Sequence, residues 1–261
     1  MITFTNPAQL QHAPTHEFFR GERVPCHETP RRAAFLLDAL RKHGHPLREP
    51  DHDATAVLPR VHTPRYLAFL ASAWDQWLAL DAANVARQPF PSVWPVRSLR
   101  SDIEPDNFIA RLGLYSLDNG TQSLFYTRDD VLVVNLHGDP RTEYPFYLGH
   151  ADETGEGTGL GHNLNLPLPA GTSAERWFEA LEVACQRVQQ QGVDALVVSL
   201  GLDTFAGDPI STFKLQSSDY LRLGARLQRL GCPSLFVLEG GYAAAELGSN
   251  AANVLDGFEG G

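Results

Sequence analysis

The chain has 261 residues, of which 43% are hydrophobic and 20% charged. That length can bury a large core, so we expect one globular domain spanning residues 1–261. The formal charge of -10 argues against a nucleic-acid partner, since phosphate binding needs clustered Lys and Arg, and favours a small cationic ligand. Three widely spaced cysteines, and an N-terminus without a basic start and apolar run, predict a cytoplasmic protein that does not enter a membrane.

Two amphipathic helices are predicted in the first third of the chain. Apolar residues recur at helical spacing from residue 30 to residue 43, and Gly44 ends the run. A second helical pattern runs from residue 63 to residue 80, with Pro64 in its first turn.

The second half of the chain alternates strand and helix patterns. Val131–Leu136 is a nearly unbroken apolar run, which is typical of a strand covered on both faces, and the apolar runs Ala195–Val198 and Ser234–Leu238 are predicted to be buried. Strands that alternate with helices imply parallel pairing and right-handed crossovers, and therefore an α/β fold. The predicted elements are strands Val131–Leu136 and Leu164–Leu168, helix Ala174–Gln191, strand Ala195–Leu200, helix Ser218–Leu230, strand Ser234–Leu238 and helix Ala243–Leu255.

Two polar side chains follow the last two predicted strands. Asp203 comes after a strand that stops at Gly201, and Tyr242 comes after a strand that is followed by Gly240 and Gly241. Open α/β sheets place their sites at the carboxyl ends of strands. Asp203 and Tyr242 are therefore the first candidates for chemistry.

The residues around these candidates resemble the zinc-dependent deacetylases, in particular the acetylpolyamine amidohydrolase branch of the histone deacetylase superfamily. The likeness covers nearly the whole chain and implies an arginase-like three-layer α/β sandwich with a mainly parallel sheet. The matching segments are Gly201–Phe205 with Asp208-Pro209, Phe213–Leu215, Glu239–Tyr242, Gly21-Glu22 with Pro25, Val61–Leu67, Asp102–Glu104 and Leu136–Pro140.

The resemblance implies a role for each matching residue. Asp203 corresponds to a zinc ligand, and Tyr242 corresponds to the hydroxyl donor that stabilises the oxyanion formed from the substrate carbonyl. Glu17 and Glu104 correspond to acids that line the polyamine entrance. Gly240 and Gly241 also correspond to the substrate-binding region. The backbone carbonyls of Phe125, Arg128 and Val131, with Asn135 and Leu136, correspond to the family's structural potassium or sodium sites.

Part of the family's pattern is not in this sequence. The family takes its other aspartate and histidine ligands from an Asp-x-Asp-x-His-His-Gly-Asn-Gly-Thr-Gln segment. Its proton-transfer histidines form a His-His pair within Arg-Pro-Pro-Gly-His-His-Ala. Neither segment occurs here, and neither do the spacings Asp-x-His, His-Glu-x-x-His or Cys-x-x-Cys. His137, His150 and His162 are candidate replacement ligands, although a surface role is more common for such histidines.

The two halves of the resemblance meet at Gly120 and Thr121. Residues up to 117–120 continue the family's N-terminal region, whereas residues 121–126 match the stretch that comes after its His-His-Gly-Asn-Gly. We therefore expect an in-frame internal deletion at this junction, which removes some central strands of the sheet.

The resemblance implies hydrolysis of the acetyl amide of acetylpolyamines or of acetyl-lysine, with zinc as cofactor. Because the proton-transfer pair and two ligands are absent, we expect impaired activity or none. Two alternatives stay open, a noncatalytic module for protein interaction or homodimerisation and an unstable fragment. An edge left by lost inner strands would favour the second alternative.

Overall fold

The structure is a computed structural model that describes residues 1–19, 21–95, 103–116 and 120–260. Asp102 and residues 117–119, which are part of the predicted junction, lie outside the described residues. The chain divides into two compact units, Met1–Glu49 with Gly120–Gly261, and Pro50–Asn119. We call the first the larger unit and the second the smaller unit.

The described residues contain short N-terminal strands and a C-terminal half in which strands and helices alternate. In chain order these elements are β1 (Thr3–Phe4), β2 (His16–Phe19), β3 (Glu22–Pro25), α1 (Arg31–Lys42), β4 (Leu47–Arg48), α2 (Pro64–Leu80), α3 (Phe108–Tyr115), α4 (Gly120–Phe125), β5 (Val133–Gly138), β6 (Asn163–Leu168), α5 (Ala174–Gln191), β7 (Leu196–Leu200), α6 (Ser217–Gln228), β8 (Ser234–Leu238) and α7 (Ala244–Gly260).

The bounds agree with the sequence pattern for α5 and β8 and differ elsewhere by a few residues. The prediction ended α7 five residues early, because the helical pattern approaches Gly257, and glycine is a poor helix former. Gly257 instead lies against α6: a Cβ there would stand 2.1 Å from the carbonyl oxygen of Leu221. Close packing of α6 on α7 thus accounts for a glycine inside the helix.

Parallel strand pairs organise the larger unit, which confirms the predicted α/β class. β5 pairs with β6, and β7 pairs with β8 from Leu196 opposite Ser234 to Leu200 opposite Leu238. β2 and β3 form an antiparallel hairpin, and β1 pairs with β4. Among the described residues these are separate two-stranded sheets.

The main core of the larger unit lies between helices α5, α6 and α7 and one face of β7–β8. Leu200 is 5% exposed in this core, together with Leu181, Tyr220 and Val254. The other face is open, so the prediction that these two apolar runs are buried is wrong for that face. An apolar run specifies a strand that is able to bury both faces, whereas the elements that pack on it come from elsewhere in the chain.

The smaller unit has its own aromatic core. Phe69 and Trp77 of α2 and Phe108 of α3 are buried together, and the Phe69 ring stacks on Tyr115 with 4.6 Å between centroids. The buried Trp77 indole donates to the carbonyl oxygen of Asn84 at 3.1 Å. None of the helices in the described part of the chain combines the length and apolarity needed to cross a bilayer.

Candidate active site

Asp203 lies just beyond β7, between two glycine residues that leave room for its carboxylate. A Cβ added at Gly201 would stand 3.0 Å from Oδ1, and one added at Gly240 would stand 3.0 Å from Oδ2. Burial, followed by the negative charges of Asp208 and Glu239, raises the pKa of Asp203 to about 6. Asp203 is therefore a carboxylate in an acidic, poorly solvated position.

Tyr242 lies beyond the neighbouring strand β8 and is close enough to Asp203 to respond to its charge. Burial, followed by the negative charge of Asp203, raises the pKa of Tyr242 above its ordinary value. Its phenol is thus a protonated hydrogen-bond donor near neutral pH. The two strands are hydrogen-bonded neighbours, which confirms the parallel pairing that the alternation of strands and helices predicts.

Arg32 of α1 braces the turn that carries Tyr242. Its Nε donates to the carbonyl oxygen of Gly241 and its Nη2 to that of Glu239, each at 2.7 Å. The guanidinium carbon lies 5.0 Å from the centroid of the Tyr242 ring, a cation–π contact. Gly241 has a φ of +114°, which favours glycine at this point of the turn.

Asp208 is a buried carboxylate that the sequence analysis did not assign to the site. Its Oδ2 accepts from the backbone N–H groups of Tyr242 at 2.7 Å and Ala243 at 3.2 Å, and its Oδ1 accepts from Ile210 at 3.1 Å. The bonds from Tyr242 and Ala243 hold the turn immediately before α7, and the bond from Ile210 closes the loop that carries Asp208. The Asp-Pro pair after Phe205 was visible in the sequence, but its target lies 34 residues away.

Glu17 lies in β2, one side chain away from Tyr242. Its carboxylate contacts Nδ1 of His27 and accepts from Sγ of Cys26 at 3.2 Å, and the His27 ring is 6.0 Å from the Tyr242 ring. Burial acts to raise the pKa of Glu17, but the bonds from His27 and Cys26 bring it below its ordinary value. Burial and the bond to Glu17 raise the pKa of Cys26 to about 11, so Cys26 is not a ready nucleophile.

The residues around Asp203 do not fit a catalytic zinc ion. The ion needs at least three protein ligands, and the carboxylate of Asp208 is already occupied by three backbone N–H groups. Asp203 and Glu239 are then the acids available at this turn. Over the described ranges, no group of three His, Cys, Asp or Glu side chains could hold a metal, and this covers His137, His150 and His162.

The chain has one His-x-His sequence, His43-Gly44-His45, and both of its histidines contact Asp256 instead of Asp203. His43 Nδ1 is 2.5 Å from Oδ2 of Asp256, and His45 Nε2 is 3.1 Å from Oδ1 of the same residue. These contacts tie the end of α1 to α7.

A polar network that the sequence analysis missed lies next to the predicted junction. Oε2 of Glu153 accepts from the Gln122 side chain at 2.6 Å and from the N–H groups of Gly149 at 2.7 Å and His150 at 3.0 Å. The buried Asn165 side chain donates to Gln122 at 2.8 Å. This network holds together α4, the loop between β5 and β6, and β6 itself.

The residues of the predicted potassium or sodium sites fall near this network. The carbonyl oxygen of Phe125 accepts from the Arg128 N–H at 3.0 Å, which closes the turn after α4, and Val131 lies between that turn and β5. Asn135, next to Leu136 in β5, donates to Asn165 at 2.9 Å. Their role in cation binding stays a prediction.

Glu104, the second predicted entrance acid, belongs to the smaller unit. Its Oε1 lies 3.9 Å from Nη1 of Arg111. The predicted roles of Glu104, Glu17, Gly240 and Gly241 in substrate binding stay predictions.

The fold and the site define an α/β protein with an acidic, tyrosine-bearing site at the carboxyl ends of a parallel strand pair. Residues 118–258 match the family model of the histone deacetylase domain. Acetylpolyamine amidohydrolases 2 and 1 of Pseudomonas aeruginosa are 36% and 35% identical to the chain, with all of this chain and 99% of each relative covered. The crystal structure of acetylpolyamine aminohydrolase from Burkholderia pseudomallei superposes with a TM-score of 0.90 at 27% identity, covering 99% of this chain and 98% of that one. The chain therefore belongs to the histone deacetylase family.

These relatives have residues for which this chain has no counterpart. The two Pseudomonas alignments run over 345 and 348 positions, whereas the chain has 261 residues, which leaves 84 and 87 positions opposite gaps. A difference of this kind is what an internal deletion produces.

Proposed function

We propose that this chain retains the side of a deacetylase site that binds the substrate carbonyl and lacks the side that activates water. The observation that carries the proposal is the position of Asp203 and Tyr242 at the ends of two hydrogen-bonded parallel strands. Family membership supplies the reaction class, hydrolysis of the acetyl amide of an acetylated amine.

The tyrosine supplies the binding chemistry. A protonated Tyr242 hydroxyl donates a hydrogen bond to the acetyl carbonyl oxygen, and Arg32 and Asp208 hold the turn that aims it. Acids around the turn, Glu17 and Glu239 among them, favour a cationic chain beyond the amide. Acetylpolyamines and acetyl-lysine side chains both have this chemistry.

The water-activating chemistry is not supplied by the residues present. Bound zinc polarises a carbonyl and lowers the pKa of its water, but Asp203 alone of the family's ligand set is retained. We therefore propose that the chain binds acetylated amines without turning them over. Structural potassium or sodium near Phe125 and Asn135 belongs to the same proposal.

Two measurements test this function on the purified chain, the zinc-to-protein ratio and hydrolysis of a fluorogenic acetyl-lysine substrate. We expect substoichiometric zinc and no detectable hydrolysis. Binding of a monoacetylated diamine should be weakened by Tyr242→Phe. One zinc per chain, together with turnover that is lost in Asp203→Ala, would refute the proposal.

A noncatalytic interaction module is the second candidate function, favoured by the open apolar face of β7–β8. It predicts a stable protein that associates with a partner or with itself. An unstable fragment predicts a broad, low-temperature unfolding transition instead, so a thermal scan separates these two alternatives.

A further inference from the structure

The open face of β7–β8 is formed by side chains that alternate along both strands. Val197 is 66% exposed, and its partner in the register, Leu235, is 58% exposed. Ser199 pairs with Val237, which is 46% exposed, on the same face. We call Val197, Leu235 and Val237 the open apolar face.

Such a face is unusual for parallel strands. All-parallel sheets occur almost only with both faces covered, because their crossover helices lie on the two sides. Here the core to which α5, α6 and α7 contribute covers the opposite face, where Leu196, Val198 and Phe236 pack against it. The open face therefore has the composition of a buried surface without a covering layer.

The strand edges show the same incompleteness. Within the described residues β7 pairs with β8 alone and β5 pairs with β6 alone. Nevertheless Leu136 of β5, Leu168 of β6 and Leu200 of β7 belong to one hydrophobic cluster. Two parallel pairs thus share a core without being hydrogen-bonded to each other, and each has an edge able to accept a further strand.

The excess length of the relatives indicates what occupies this surface. The 84 alignment positions without a residue here are enough for two strand-and-helix units, since one βαβ unit takes about 30 residues or more. A strand with its following helix would fill an edge and cover the open face at once.

We propose that the open apolar face, with the adjoining strand edges, is a docking surface for a separate polypeptide of strand-and-helix character, equivalent to the residues of the longer relatives that have no counterpart in this chain. The segment docks in trans by parallel strand addition, with its helix over Val197 and Leu235. The proposal concerns folding surfaces and does not depend on whether the chain binds an acetylated amine.

The test uses the full chain and, as probe, a recombinant fragment of the first Pseudomonas relative, containing the residues between its counterparts of Gly120 and Thr121. We expect a one-to-one complex by sedimentation velocity, a rise in Tm and a fall in the fluorescence of a dye that binds exposed apolar surface. Val197→Glu with Leu235→Glu should weaken binding at least about tenfold, since each places a charge in the buried contact.

Val183→Glu is the matched control, because Val183 is exposed on α5 and lies outside the open apolar face. It should bind the fragment as the parent chain does. Circular dichroism establishes that the variants are folded. A folded parent chain that does not bind the fragment would overturn the proposal. So would a homodimer that Val197→Glu dissociates and that excludes the fragment, because the occupant would then be a second copy of the chain.

Discussion

Glu153 and Asp203 both lie in loops of the larger unit, but their surroundings are opposite. Glu153 accepts three short hydrogen bonds from Gln122 and two backbone N–H groups. Asp203 is buried beside Asp208 and Glu239, and its pKa is raised to about 6. Where hydrogen-bond donors surround a carboxylate, as around Glu153, the carboxylate stabilises the fold. Where other acids lie near a carboxylate, its charged form is destabilised and its pKa rises.

The largest effect should come from restoring what Asp203 lacks. Inserting a family segment with the Asp-x-His ligands and the His-His pair between Gly120 and Thr121 should give one zinc per chain and amide hydrolysis. In that restored chain Tyr242→Phe should lower turnover by about 10²-fold or more, the scale of one oxyanion donor, with zinc content unchanged.

Metal analysis and a fluorogenic acetyl-lysine assay measure this outcome. The control is the same insertion with the Asp-x-His ligands replaced by Asn-x-Ala. A restored chain that binds zinc but shows no Tyr242-dependent hydrolysis would mean that the retained residues no longer support the deacetylase reaction.

Breaking the Glu153 network should be the largest change in stability. Glu153→Leu leaves three partly buried donors without their acceptor, each at the lower end of about 1–3 kcal/mol, so we expect the free energy of unfolding to fall by about 3 kcal/mol or more. Urea titration measures the loss. Glu153→Gln keeps one acceptor oxygen and should lose clearly less; equal losses would show that the hydrogen bonds are not the cause.

Removing the charge of Asp203 should do the reverse and stabilise the protein. A native pKa of about 6 against 3.8 when unfolded means that the native state binds the proton more tightly, so stability falls as pH rises from about 4 to about 6. Asp203→Asn should remove this fall and add roughly 2–3 kcal/mol at pH 7. Thermal unfolding at pH 4.5 and pH 7 tests both points, and a parent chain whose stability rises across this range contradicts them.

The smallest effect concerns Arg32, whose positive charge lowers the pKa of Asp203. Arg32→Gln should move the pH window of the Asp203 effect upward and cost about 1 kcal/mol or more in lost hydrogen bonds. Arg31→Gln is the control, because Arg31 lies over Phe35 and not over Tyr242. Stability profiles against pH that coincide for the two variants would exclude a link between Arg32 and Asp203.

The sequence predicted the α/β alternation and both strand ends, because each rests on local periodicity and on a glycine that follows an apolar run. The bracing of Tyr242 was not predictable in this way. Arg32 reaches carbonyl groups 207 and 209 residues away, and its own helix reads only as amphipathic. The open face of β7–β8 was missed for a related reason: Val197 and Leu235 have the composition of buried residues, and composition does not reveal what packs over them.

The bonds from Tyr242 and Ala243 to Asp208 have an evolutionary consequence. Both partners lie on the same side of Gly120-Thr121, so this support of the tyrosine turn is inherited with the residues after that point, and Arg32 adds its hydrogen bonds to the same turn from the residues before it. A lineage with this architecture can lose, exchange or regain its metal-binding residues in one recombination event, because the tyrosine turn does not have to be rebuilt afterwards. The retained turn is then a heritable starting point for new chemistry at the same strand ends.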